Sequence, residues 1–276
     1  MIMLKDKALL MALGLMLFLP LGIQASTPAI PDLLNHDVIL LGERHDHPDH
    51  HINQAAWLNQ IAKDGTVSLV MEMVSVAQMD RIKERPTNSD AWREALNWDE
   101  SGWPDFEIYR PLFDVISQHE LMILPGVMSV EPGTSFDQRL SQMRMAAGNP
   151  PNIPDSISSS VAEDVRVGHC DLLPEEMIAP MVEIQWLKDA FMAKQLRDGL
   201  AKSKRSVLIA GNGHTQGDTG VPVHLALLDT SLLAVVQQEG NQGGYGGDED
   251  TIIITREIPM DDPCKSLRER FGKKKG

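Results

Sequence analysis

The chain has 276 residues, 42% hydrophobic and 23% charged, enough apolar material for one large α/β domain and unlike a disordered or fibrous sequence. Its net charge of -14 argues against phosphate-backbone binding, which needs clustered Lys and Arg, so no nucleic-acid partner is expected. The basic run Lys273-Lys274-Lys275 reads as a solvated tail.

In chain order, Lys5 and Lys7 precede the apolar stretch "ALLMALGLMLFLPLGIQA", which is interrupted by Pro20 and ends in small residues. This pattern predicts a secretory signal, residues 1–25, cleaved after Ala25. Its uninterrupted part is shorter than the roughly 20 residues of a spanning helix. Residues 26–276 are then a single mature domain in an oxidising compartment. No cysteine precedes Cys170, so none is near the signal to carry a lipid. Cys170 and Cys264 could pair or remain buried thiols.

Four apolar runs, "DVILLGE", "VSLVMEM", "LMILPGV" and "RSVLIAGNGH", lack polar alternation, as parallel strands covered on both faces do. "SLLAVVQQE" and "DTIIITRE" read as two further strands. Helical patterns fall between them at Pro48 to Lys63, Gln78 to Arg85, Ser89 to Leu96 and Phe106 to His119. The expected fold class is α/β: a central, largely parallel sheet covered by helices. Roughly over 134–202, a Met-bearing helix, a Pro/Ser/Asn-rich loop and a long helix should form a small helical lobe. "GNQGGYGGDED" reads as a hairpin-like loop.

Ligands of open α/β sheets bind outside the carboxyl ends of the strands, and the unusual side chains fall there. Glu43 and His45 follow the first strand, Glu72 ends the second, and Asn212 and His214 follow the fourth. Two Gly-x-x-His elements, Gly42 to His45 and Gly211 to His214, each allow a tight strand exit that aims an imidazole over the sheet. Together they point to a polar or metal-bearing site. Glu43, Glu72 and His214 are expected within mutual reach. Plainer roles are open: Asp46 as a helix N-cap before Pro48, His47 and His50 as solvated side chains, and His51 as a core-edge residue. A carboxylate at a buried strand end must be paired or ligating, which applies to Glu43 and Glu72 alike. Met177, Met181, Ile184 and Phe191 share a helical face, with Met143 and Met145 nearby; such a stripe serves a core or an apolar ligand wall.

The segments "ILLGERHDHPDHH", "VMEMV", "WPDFEIYRPLFDVI", "GHCDLLPEEMIAPMVEIQWLKDAFMAKQL", "AGNGHTQGDTGVPVHL" and "DPC", in this order, resemble the ChaN-like haem-binding family of the Tiki superfamily over nearly the whole mature chain. The resemblance implies haem or iron uptake in the periplasm of a Gram-negative bacterium, together with an outer-membrane haem uptake system. It also implies haem held between two subunits through tyrosine, and a Cys170–Cys264 disulfide. Of the two tyrosines, Tyr109 lies in the family-like "FEIYRP" and Tyr245 in the glycine loop, so Tyr109 is the expected axial ligand. Arg110 beside it would favour the phenolate or meet a propionate. His45, His47 and His50 are the further candidate haem contacts. Members are often lipoproteins, a departure in this chain. Related branches resemble metal-dependent peptidases and esterases. The alternative is therefore a hydrolase holding a divalent metal on Glu43, His45, Glu72 and His214, with Glu43 or Glu72 as general base.

Overall fold

Each apolar run forms a strand: β1 Val38–Glu43, β2 Val67–Ser75, β3 Met122–Val127, β4 Arg205–Gly211, β5 Leu232–Glu239 and β6 Thr251–Thr255. The computed structural model describes residues 28–30, 32–226, 229–240, 247, 250–259, 262, 264–265 and 268–269. The expected leader, Tyr245 and the lysine tail lie outside them. The sheet has the order β3-β2-β4-β1-β5-β6, and all its pairings are parallel. Parallel neighbours need crossovers, supplied first by α1 Pro48–Asp64, then by α2 Val76–Met79, α3 Ser89–Ala95 and α4 Phe106–Gln118. After β3 come α5 Phe136–Ala146, α6 Asp155–Gly168 and α7 Ile178–Leu200, and after β4 the short α8 Asn212–Thr215 and α9 Val221–Leu225.

Side chains alternate across a strand, and here both faces are apolar. Ile39, Leu41, Leu69, Met71, Val207 and Ile209 pack with α1 and α4. Val38, Leu40, Val70, Leu208 and Ala210 pack with α7 and α9. That double burial is why the strands read as unbroken apolar runs.

Local expectations differ in four places. The helix expected over Gln78 to Arg85 is only α2 and a turn, and Pro86 keeps Arg85 out of the helical region beyond it. The expected loop after the Met-bearing helix contains α6. Serines there mask the stripe Ile157, Val161 and Val165, whose spacing of four puts all three on one face against α7. Because β5 and β6 are parallel, the glycine-rich stretch between them is no hairpin; most of it lies outside the described residues. The N-cap of α1 is His47, whose Nδ1 accepts from the Asp49 N–H (3.2 Å). Asp46 is drawn instead to Arg44 Nε (2.6 Å).

The apolar face of α7 is mainly core. Trp186, Leu187, Ala190 and Phe191 bury against Met143 and the α5 end, whereas Met145 and Met177 are exposed. A disulfide joins Cys170 to Cys264 with Cα atoms 5.9 Å apart, closing a sequence separation of 94 residues. Replacing both cysteines by serine is expected to cost about 2–4 kcal/mol, chiefly by freeing the unfolded chain. Denaturant unfolding of the variant measures it, and an unchanged midpoint would count against a stabilising bond.

Candidate functional site

The chain first runs from β1 through β2 to the β3 edge, then returns β4 between β2 and β1 and lays β5 on the other side of β1. The loops leaving β1 and β4 therefore diverge at the carboxyl end of the sheet, where such folds hold ligands. Register brings Glu43 opposite Gly211, so both Gly-x-x-His elements open at one level. Gly42 must be glycine: a Cβ there would sit 2.5 Å from Asn212 Oδ1 and 2.8 Å from the Val235 carbonyl.

Strand alternation sends the two glutamates to opposite faces. Glu43 follows Ile39 and Leu41 to the α4 side, where its Oε1 accepts from the Tyr109 hydroxyl (2.7 Å) and pairs with His45 Nδ1 (2.8 Å). Its Oε2 lies 3.2 Å from His51 Nδ1. Burial alone would push the Glu43 carboxyl up; His51 and His45 outweigh it and hold the group below the usual carboxylate range. Glu72 follows Val70 to the α7 side. Its Oε2 accepts from the Gly211 N–H (2.8 Å), and its Oε1 lies 3.2 Å from His214 Nε2 and 3.5 Å from Lys188 Nζ. His214 Nδ1 is 2.5 Å from Asp189 Oδ1. Burial opposes charge on His214, but Glu72 and Asp189 prevail and raise its pKa to about 9, making it an imidazolium at neutral pH. Glu72 is correspondingly held well below its ordinary range.

The halves meet at His45, whose Nε2 lies 3.7 Å from Glu72 Oε2. A ribbon of side chains thus runs Asp189, His214, Glu72, His45, Glu43, Tyr109 across the strand ends. Burial opposes protonation of His45, but Glu43 and Glu72 overcome it and raise its pKa. Trp103 meets the His45 ring edge-on at 4.8 Å. Beside the ribbon opens a cleft of about 610 Å³ whose walls include His45, Glu72, Lys188, Gly211, His214 and Gln238.

Several expected ligands are taken up internally. Tyr109 is 0% exposed, packed against His51 and Trp98. Burial and the Glu43 charge push its phenol far above the ordinary value, so it is neither accessible nor a phenolate. Arg110, one residue on, turns to the outer face of α4 and pairs with Glu107 (2.7 Å) and Asp90 (2.8 Å). His47 and His50 are buried rather than solvated. His47 uses Nδ1 in the cap and Nε2 on the Arg256 carbonyl; His50 uses Nδ1 on the Arg44 N–H and Nε2 on Thr255. Burial and His47 hold the His50 pKa down to about 3. His51 is likewise fully buried.

The metal reading gains no support from this arrangement. Glu43, Glu72 and His214 do gather at one sheet edge, with His45 between the glutamates. Yet their donor atoms pair with one another, and among the described residues no group of three or more His, Cys, Asp or Glu side chains could hold a metal ion.

Other members were not singled out in the sequence. Asp189 is an acid buried within an apolar helix, a signal legible in "QWLKDAFM" once the helix face is known. Gln237 lies in β5 and ties Asn53, Asn212 and the Gly42 and His50 carbonyls together. Nothing in an isolated strand glutamine marks that role.

Fold and cleft define an open, all-parallel α/β protein with a polar recess at its topological switch point, a ligand-binding architecture. The chain belongs to the family described as haem-binding uptake, Tiki superfamily, ChaN, whose model matches residues 29–225. A solved structure described as cofacial heme binding to ChaN of Campylobacter jejuni is similar with a TM-score of 0.61 and 21% identity, over 80% of this chain and 88% of that one. At that identity the likeness is one of fold. The type III effector HopBA1 aligns with a TM-score of 0.40 and 11% identity over the same shares. No curated protein matches.

Proposed function

We propose that the chain binds haem in the cleft at the strand ends and serves haem or iron uptake. The observation that carries this reading is the part-exposed His45 in the cleft wall of a chain of the haem-binding uptake family. The His45 side chain is 34% exposed, and its Nδ1 is bonded to a buried carboxylate. A ligating histidine is commonly oriented in this way, and iron would take the other nitrogen, Nε2, in place of its 3.7 Å contact with Glu72. With Tyr109 buried, His45 takes the axial place in the described residues, and Lys188 at the cleft wall offers a cation to a propionate.

Hemin titration read at the Soret band tests the assignment. His45→Ala is expected to weaken binding roughly tenfold or more, while Tyr109→Phe leaves the spectrum unchanged. Loss of binding in Tyr245→Phe with His45→Ala unaffected would move the iron to tyrosine. Protons compete with iron for the imidazole, so affinity should rise with pH from the ordinary histidine value upward, as the raised His45 pKa is passed.

A porphyrin in an open cleft leaves one apolar face in water, and burying it gains roughly 25 cal/mol per Å². Haem is therefore expected to promote a homodimer. Sedimentation giving one mass with and without hemin would refute that. The compartment is the periplasm: the leader ending at Ala25 supports it, and the disulfide suits an oxidising environment. A mature mass beginning near Ser26 is the check. The cleft would pass haem to or from an outer-membrane uptake system.

A further inference from the structure

A second hollow, of about 430 Å³, lies between the α5–α6 loop and helices α7 and α9, and its size falls in the range of about 300–1,000 Å³ usual for small-molecule sites. It is separate from the cleft. Gln185 lines the cleft and Trp186 the hollow, consecutive residues that α7 turns to different directions. We propose that this hollow binds an aromatic monocarboxylate, with the carboxylate on Arg197 and the ring between His224 and the loop prolines, beside the largely buried Trp186.

The walls are preformed. Pro150, Pro151 and Pro154 restrict the loop backbone, Trp186 Nε1 donates to the Pro151 carbonyl (2.9 Å), and Arg144 donates to the Pro150 carbonyl (3.1 Å). A ligand therefore meets an ordered surface and loses little in arranging it. Trp186 and His224 form an aromatic corner, their rings 4.0 Å apart and inclined by 51°. Burial and the nearby Arg197 hold the His224 pKa down to about 4, so the corner is uncharged at neutral pH. A flat ring is the body that such a corner packs best.

Charge selects the rest. Arg197 spends one N–H on the His224 carbonyl (3.2 Å), and among the described residues no carboxylate pairs with it. The neighbouring cations are matched: Lys194 with Asp198 (2.7 Å) and Arg144 with Glu183 (2.8 Å). In a chain of net charge -14, an unmatched guanidinium in the wall of a hollow is a counter-charge in place before the ligand arrives. Its planar fork fits a carboxylate through two parallel N–H bonds. A single cation balances a single negative charge, and a phosphate dianion would leave a charge uncompensated.

Cinnamate and its neutral amide, cinnamamide, test the site by calorimetry and by the amide and indole NMR spectrum. Cinnamate is expected to saturate and to shift the Trp186 indole N–H, assigned with Trp186→Phe, while cinnamamide binds roughly tenfold more weakly or worse. Arg197→Gln should reduce cinnamate to the level of cinnamamide without changing cinnamamide. Equal binding of acid and amide to the unaltered protein would overturn the proposal, even if the variant fails to fold. So would a cinnamate affinity unchanged in Arg197→Gln, or no saturation up to about 10 mM. The hemin Soret titration should be the same in Arg197→Gln as in the unaltered protein, which keeps this site independent of the haem reading.

Discussion

Replacing Glu43 by alanine is expected to destabilise the protein by about 3–5 kcal/mol, the loss typical when one partner of a buried charge pair is removed. Glu43 receives the Tyr109 hydroxyl and His45 Nδ1 on one oxygen and faces His51 with the other. Its removal strands a hydroxyl and one imidazole in the core and a second imidazole at the core edge. Tyr109→Phe, which deletes one hydroxyl and leaves the carboxylate its histidines, should cost less, about 1–3 kcal/mol. The double variant should cost less than the two single losses added, because both disturb one hydrogen bond. Urea unfolding measures all three. If Glu43→Ala proved milder than Tyr109→Phe, the glutamate would not be the anchor of the ribbon.

Stability should also fall on the alkaline side through His214. Its pKa is raised from 6.5 to about 9 in the folded protein. A raised pKa contributes stability that is fully present below the unfolded value and is lost as pH climbs through the folded one. At about 1.4 kcal/mol per pH unit, the loss between pH 6.5 and about 9 is about 3 kcal/mol, shared with Glu72 and Asp189 and counted once. Glu43 and Glu72, whose pKa values are depressed, act with the opposite sign. Their contribution is present above the ordinary carboxylate value and lost as pH falls below it. Unfolding midpoints across this span should form a plateau with a shoulder descending toward pH 9, and His214→Gln should flatten that shoulder. A shoulder of equal depth in the variant would assign it to other groups.

The chain alone determines the layers of this protein. The inner strands β1, β2, β4 and β5 are legible because they are buried on both faces, which suppresses polar alternation, whereas the edge strands β3 and β6, with Met122, Ile252 and Ile254 exposed, are legible from their apolar, β-rich content alone. The gathering of Glu43, His45, Glu72 and His214 at one edge is legible for a similar reason: a residue just past a strand lies at the sheet's end whatever its neighbours are. Strand parity puts Glu43 on the face of Ile39 and Leu41 and Glu72 on the face of Val70, but that these are opposite faces of the sheet is set by the register between strands. What parity cannot carry is which partner waits on each face, since Tyr109 and Asp189 come from helices 66 residues after Glu43 and 25 residues before His214. Only tertiary packing made Tyr109 a buried donor, His47 and His50 buried hydrogen-bonded side chains, and His45 the part-exposed imidazole of the cleft wall. An ionisable side chain has the same formula in a core and in a cleft. Its charge, its partners and its access to a ligand depend on the desolvation and the neighbours that the folded chain imposes.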